Sequence, residues 1–193
     1  MYIIATVEDK MNKDIAKVLI TEQEIDSAVR RLASEIDKDY KGQTKRLVML
    51  GILKGSVVFM GDLMKRMQTP LEIEFMRVSS YGAGTVSSGN IQIHLDINLK
   101  NIEACDILIV EDIVDSGRTL SYLVEYLKLK GANDVKTVTL LDKPSRRVVP
   151  FTPDYVGMEI PDEFVVGYGL DFDEKYRTLP YIGILDPKAY GGN

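Results

Sequence analysis

Ile107-Leu-Ile-Val-Glu-Asp-Ile-Val-Asp-Ser-Gly-Arg-Thr119 begins apolar, turns acidic and ends small. The run Ile107 to Val110 has no polar alternation, which is the pattern of a strand buried on both faces. Glu111, Asp112 and Asp115 mark its exit, and Ser116-Gly117-Arg118-Thr119 makes a turn rich in hydrogen-bonding groups. Beyond it, Leu120, Leu123, Val124 and Leu127 recur at helical spacing, and Gly131 stands where that helix should stop. Buried strand, acidic exit, small loop and helix N-terminus follow one another, as in an α/β sheet.

That order has a chemical meaning. The loop and first helical turn offer unpaired N–H groups and the positive end of a helix dipole, which suit a phosphate. The upstream carboxylates would repel a second phosphate, but they accept hydrogen bonds from sugar hydroxyls and can help to hold Mg²⁺. A phosphorylated sugar meets both demands. The Gly-x-x-x-x-Gly-Lys spacing of a Walker loop is missing.

A second strand–glycine–helix junction lies upstream. Arg46 to Leu53 is an apolar strand, followed by Lys54-Gly55-Ser56 and an apolar helix expected from Val57 to about Met67. Downstream, Val135 to Leu141 is a β-branched strand that ends in Asp142-Lys143-Pro144-Ser145-Arg146-Arg147. Taken alone, this basic cluster reads as surface, but a lysine at a strand's C-terminal edge lies on the ligand side of an open sheet. Earlier, Val18 to Ile20 can form a short strand. Thr21-Glu-Gln-Glu24 is a capping box, and Ile25, Ala28, Val29, Leu32 and Ile36 form an apolar helical stripe. After Thr69-Pro70, Leu71, Ile73 and Phe75 alternate with Glu72, Glu74 and Met76 as in a strand. The stretch from Arg77 to Gly89, rich in Gly, Ser and Thr, reads as a hairpin tip or a lid. Prolines and glycines break the last fifty residues into short apolar pieces, with Tyr181 to Leu185 as a closing strand.

Composition narrows the chemistry. The chain has 193 residues, a net charge of -5 and one cysteine, so an intrachain disulfide and a multi-cysteine metal site are excluded. The acidic balance gives no general attraction to nucleic acid or membranes. No apolar stretch reaches membrane-span length and no leader is evident, so a cytoplasmic protein is expected. The single histidine, His94, shares a polar strand face with Gln92, Asp96 and Asn98. A solvated position outweighs a catalytic one there, which leaves acid–base work to carboxylates, lysine or tyrosine.

The stretch Val110 to Thr119 resembles the phosphoribosyl-diphosphate (PRPP) loop of type I phosphoribosyltransferases, in the variant of the hypoxanthine-guanine enzymes. The likeness runs over about residues 46–185. It implies an α/β fold with a mostly parallel central sheet flanked by helices, a core over about residues 18–149 and a hood over about 150–193, with 1–17 as a further candidate for the hood. It implies Mg²⁺-dependent transfer of 5-phosphoribose from PRPP to N9 of hypoxanthine or guanine. In that reading Glu111, Asp112, Asp115, Ser116, Gly117, Arg118 and Thr119 hold the ribose phosphate, and Asp115 is also the general base. Lys54, Gly55 and Arg177 hold the diphosphate, with a cis peptide before Lys54. Lys143, Phe164, Val165 and Asp171 receive the purine, and Ser80 and Tyr81 belong to a lid. Glu111, Asp112 and Asp171 lie near the metal. A homodimer or homotetramer is implied, with no nucleic-acid or membrane partner. Two departures, Asp142 before Lys143 and Glu163 before Phe164, touch base preference. A xanthine- or pyrimidine-preferring relative and a PRPP-sensing regulator remain as alternatives.

Overall fold

The computed structural model describes residues 13–80 and 91–191. Its larger sheet has six strands: β2 (Arg46–Leu53), β3 (Leu71–Ser80), β4 (Ile91–Leu95), β5 (Cys105–Val114), β6 (Asp134–Asp142) and β7 (Tyr155–Glu159), in the order β4-β3-β2-β5-β6-β7. All neighbours are parallel except β4, which returns antiparallel along β3 at one edge.

Both faces are covered, which explains the unbroken apolar runs. In β2, Leu47 and Met49 point to one side and Leu50 and Ile52 to the other; in β5, Leu108 and Val110 oppose Ile107 and Ile109. The first side meets α1 (Glu22–Asp39) and α2 (Val57–Met64). The second meets α3 (Arg118–Leu129) through Leu120, Leu123 and Leu127. The Thr21 capping box forms as expected, and Ile25, Ala28, Val29, Leu32 and Ile36 are buried.

Some sequence expectations shift. Helix α2 ends at Met64, short of Met67, where the chain tightens into a turn with Arg66 N–H donating to Leu63 O. Ile73 is 48% exposed, whereas Met76 on the opposite face of β3 is fully buried, because that face also has a core to join.

A three-stranded sheet sits beside the larger one, in the order β1-β9-β8, with β1 (Ile15–Ile20), β8 (Val165–Val166) and β9 (Ile182–Leu185). The sheets therefore divide the chain elsewhere than at residues 18 and 149. The whole of β1 pairs with β9 in the small sheet, while β7 extends the large one beside β6. The pairing decides membership: Gly183 in β9 lies so close to Ile15 that a Cβ would come within 2.7 Å of its side chain.

Candidate active site

The parallel strands β2, β5 and β6 end on one edge, and each delivers part of the site. At the end of β2 the Leu53–Lys54 peptide is cis. Gly55 lies against β5, where an added Cβ would fall 1.6 Å from Asp112 Oδ2. Only glycine lets these two strand ends approach so closely. From the other direction Gly169, at φ +101, presses on the carbonyl of Gly55, which a Cβ there would meet at 2.2 Å. One loop is thus held between the acidic strand exit and the connection between β8 and β9 of the small sheet.

At the end of β5, Glu111 and Asp112 are adjacent carboxylates with few partners. Asp112 Oδ1 accepts from the Ile113 N–H at 2.8 Å, while Glu111 Oε2 is buried without a hydrogen-bond partner among the described residues. Burial, then the neighbouring Asp112, pushes the Glu111 carboxyl well above the ordinary carboxylate range. Burial also raises Asp112, against the hydrogen bonds from Glu111 and from backbone N–H groups. Two such groups call for hydroxyl donors or a divalent cation, so the pair fits Mg²⁺. Among the described residues no group of three or more His, Cys, Asp or Glu converges on a metal; two carboxylates, with water and substrate oxygens completing the shell, are an ordinary way to hold Mg²⁺. In particular, Asp171 is not gathered into one cluster with Glu111 and Asp112. Its carboxylate instead meets Arg177 Nη2 at 2.8 Å and the Glu174 N–H at 2.9 Å.

The phosphate-loop candidate follows. Gly117, at φ +78, precedes α3 and itself offers no side chain to the helix's first N–H groups, a terminus of the kind that receives an anion. Ser116 Oγ accepts from the Arg118 N–H at 3.4 Å. Lys143, buried at the end of β6, brings Nζ to 3.6 Å from Asp115 Oδ1. Two residues read from separate motifs are thereby neighbours.

Four residues with contacts here carried no signal of their own. Arg147 packs under the loop: its guanidinium donates to the carboxylate of buried Asp142 and to the main-chain carbonyl of Asp115, and Val148 N–H donates to Ser116 O at 3.1 Å. Asp142 thus has a counter-ion, and its place before Lys143 is a bracing position. Nothing in the sequence separates Arg147 from exposed Arg146. Tyr190 stacks on Phe164, with ring centroids 5.2 Å apart, and Phe172 meets Phe164 edge-on at 5.7 Å. Glu174 lies between Lys54 and Arg177.

Phe164 is 42% exposed, Val165 is buried in β8, and Lys54 and Arg177 approach each other across the glycine contact. Ser80 closes β3, but its side chain and all of Tyr81 lie outside the described residues. His94 is exposed on the edge strand, 2.7 Å from Ser79 Oγ, as a solvated strand position requires.

The model of the phosphoribosyl transferase domain family matches residues 19–173. A hypoxanthine-guanine phosphoribosyltransferase of Bacillus subtilis is 53% identical over 180 residues, covering 93% of this chain and 98% of that protein. The bifunctional protein TilS/HprT of Listeria innocua is 55% identical over 94% of this chain, which spans only 28% of that longer relative. The crystal structure of a hypoxanthine phosphoribosyltransferase from Staphylococcus aureus superposes with a TM-score of 0.87 at 48% identity, covering 98% of this chain and 99% of that one.

Proposed function

The chain belongs to the phosphoribosyl transferase family, and we propose that it is a purine-salvage enzyme that transfers 5-phosphoribose from PRPP to N9 of hypoxanthine or guanine. The products are the nucleoside monophosphate and diphosphate. The observation that carries this reading is Lys143 Nζ at 3.6 Å from Asp115 Oδ1, on neighbouring strand ends above the phosphate loop. A cation for the 6-oxo group and a base for the purine's N7 proton then stand side by side.

In this mechanism residues 115–119 anchor the 5′-phosphate through loop and helix N–H groups. Glu111 and Asp112 accept from the ribose hydroxyls, and with Asp171 they are the proposed residues nearest Mg²⁺. When bound, Mg²⁺ would neutralise charge on the leaving diphosphate. N9 forms the new bond to C1′ as the bond to diphosphate oxygen breaks. Asp115 removes the N7 proton, and Lys143 stabilises negative charge on the 6-oxo group. Lys54, the Gly55 backbone and Arg177 hold the diphosphate. Phe164 stacks on the base, the Val165 backbone reads its edge, and Ser80 and Tyr81 belong to a lid that excludes water.

The fold divides in this proposal into a core and a hood made from the small sheet. A homodimer or homotetramer is proposed, supported by apolar side chains left exposed on α2 and β3: Val57 45%, Met64 38% and Ile73 48%. A cytoplasmic setting is proposed with it; no helix among the described residues is long and apolar enough to cross a membrane.

The test is an assay with PRPP and Mg²⁺ in which hypoxanthine, guanine, xanthine, adenine and uracil are offered separately. Conversion of hypoxanthine or guanine, abolished by chelation, is the expected result. PRPP binding with no conversion of any base would replace the enzyme by a PRPP-sensing regulator.

A further inference from the structure

Glu174 has no role in the mechanism above, yet it touches two residues that do. Lys54 Nζ lies 2.9 Å from Glu174 Oε1, and Arg177 Nη2 lies 3.3 Å from Glu174 Oε2. One carboxylate therefore bridges the two cations that come from opposite sides of the Gly55–Gly169 contact. The backbone around it is unusual. Asp173, Glu174 and Tyr176 have φ of 51°, 60° and 74°, a region that side-chain-bearing residues seldom enter. The Glu174 N–H is tied to Asp171 Oδ2 at 2.9 Å.

This bridge contributes little to the fold. The side chains of Lys54 and Glu174 are 49% and 64% exposed, and exposed ion pairs are weak and screened. Arg177 does not depend on it, because its Nη1 donates to Gly169 O at 2.7 Å and its Nη2 meets Asp171 Oδ1 at 2.8 Å. What the carboxylate does is occupy donors. A diphosphate held by Lys54 and Arg177 needs those same N–H groups, and its own negative charge is repelled by a carboxylate at hydrogen-bond range of both.

We propose that Glu174 is a built-in competing anion, one that contends with diphosphate for Lys54 and Arg177 and so sets how tightly the enzyme holds its donor's diphosphate end and its diphosphate product. The inference rests on the assignment of Lys54 and Arg177 to the diphosphate. It makes Glu174 a residue that tunes diphosphate affinity and favours product release. It touches none of the reacting atoms.

The experiment is calorimetric titration of magnesium diphosphate into the intact protein and into Glu174→Gln. Removing the competing charge is expected to tighten diphosphate about two- to fivefold, the scale of an exposed ion pair. Affinity for ribose 5-phosphate, which engages the other loop, and the melting temperature should stay unchanged. In a Lys54→Gln background the gain from Glu174→Gln should shrink, since the two effects share one partner. Diphosphate affinity that is unchanged or weaker in Glu174→Gln, with the wild-type protein binding normally, overturns the competing-anion role alone. If the wild-type protein binds no diphosphate, or binds it equally well after Lys54→Gln, the assignment beneath the inference is overturned as well.

Discussion

At the scale of single residues, the site depends on charges whose neighbours decide their use. Asp115 is exposed and close to Lys143, so replacing it with asparagine keeps the shape of the loop and removes the proton acceptor. Asp115→Asn is expected to lower turnover by about 10²–10⁴-fold, the usual contribution of a positioned base, with PRPP affinity largely kept. Steady-state kinetics and a PRPP titration test this, and unchanged turnover would remove Asp115 from the role. Arg147 works at one remove. Its side chain is 15% exposed and that of Asp142 is 8%, so truncating the arginine leaves a nearly buried carboxylate without its counter-ion. Breaking such a pair costs about 3 kcal/mol or more, and urea unfolding of Arg147→Gln should show a loss of that size. The Asp115 carbonyl loses a donor in the same variant. KM for PRPP should therefore rise more than KM for the purine; equal increases would mean that Arg147 supports the fold without bracing the loop.

Elements differ in how far their own sequence explains them. The helix α1 was fully legible, because its cap and its buried stripe are local patterns that need no partner to be read. The runs of β2 and β5 were legible as buried strands for the same reason. Membership of a sheet was harder: β1 and β7 are short, and only their pairing with β9 and β6 assigns them. The tie between the exit of β4 and α3 was invisible, since it joins distant residues. Asp96 accepts from Tyr126 Oη at 2.5 Å and Lys130 Nζ at 2.6 Å. Burial pushes its carboxyl up, but the Lys130 and Tyr126 hydrogen bonds outweigh this and hold it below its ordinary value of 3.8. A carboxyl depressed in the folded state binds its proton more readily in the unfolded chain. Its stabilising contribution is complete above pH 3.8 and fades as pH falls through the folded value. Asp96→Asn should thus be less stable than the wild-type protein at pH 7 by a screened amount, under about 1 kcal/mol. The gap in denaturant midpoint should close on acidification; a gap independent of pH would show that the lost contact is not ionic.

For the whole molecule, the chemistry was legible where one motif carries it and hidden where two parts of the chain share it. Ser116, Gly117, Arg118 and Thr119 are contiguous, and their place at a helix terminus follows from the sequence alone. The meeting of Lys54, Glu174 and Arg177 does not, because it arises from a contact between the end of β2 in the large sheet and the β8–β9 connection of the small one. Gly169 is the point of that contact, and it can be compared with Gly191. Both have positive φ, +101 and +83, but among the described residues a Cβ on Gly191 meets nothing within 4 Å, whereas on Gly169 it meets Gly55 O at 2.2 Å. Gly191→Ala should therefore show only the cost of the backbone conformation, about 1–2 kcal/mol, with kinetics unchanged. Gly169→Ala carries a comparable cost plus a clash with a backbone oxygen, which can be relieved only by moving the Lys54–Gly55 loop away from Arg177. It should be the less stable of the two in urea unfolding, and it alone should weaken binding of magnesium diphosphate. If both variants lose stability equally and both bind diphosphate normally, the glycine contact does not set the spacing of the two cations, and the small sheet would hold Arg177 in place by its own packing.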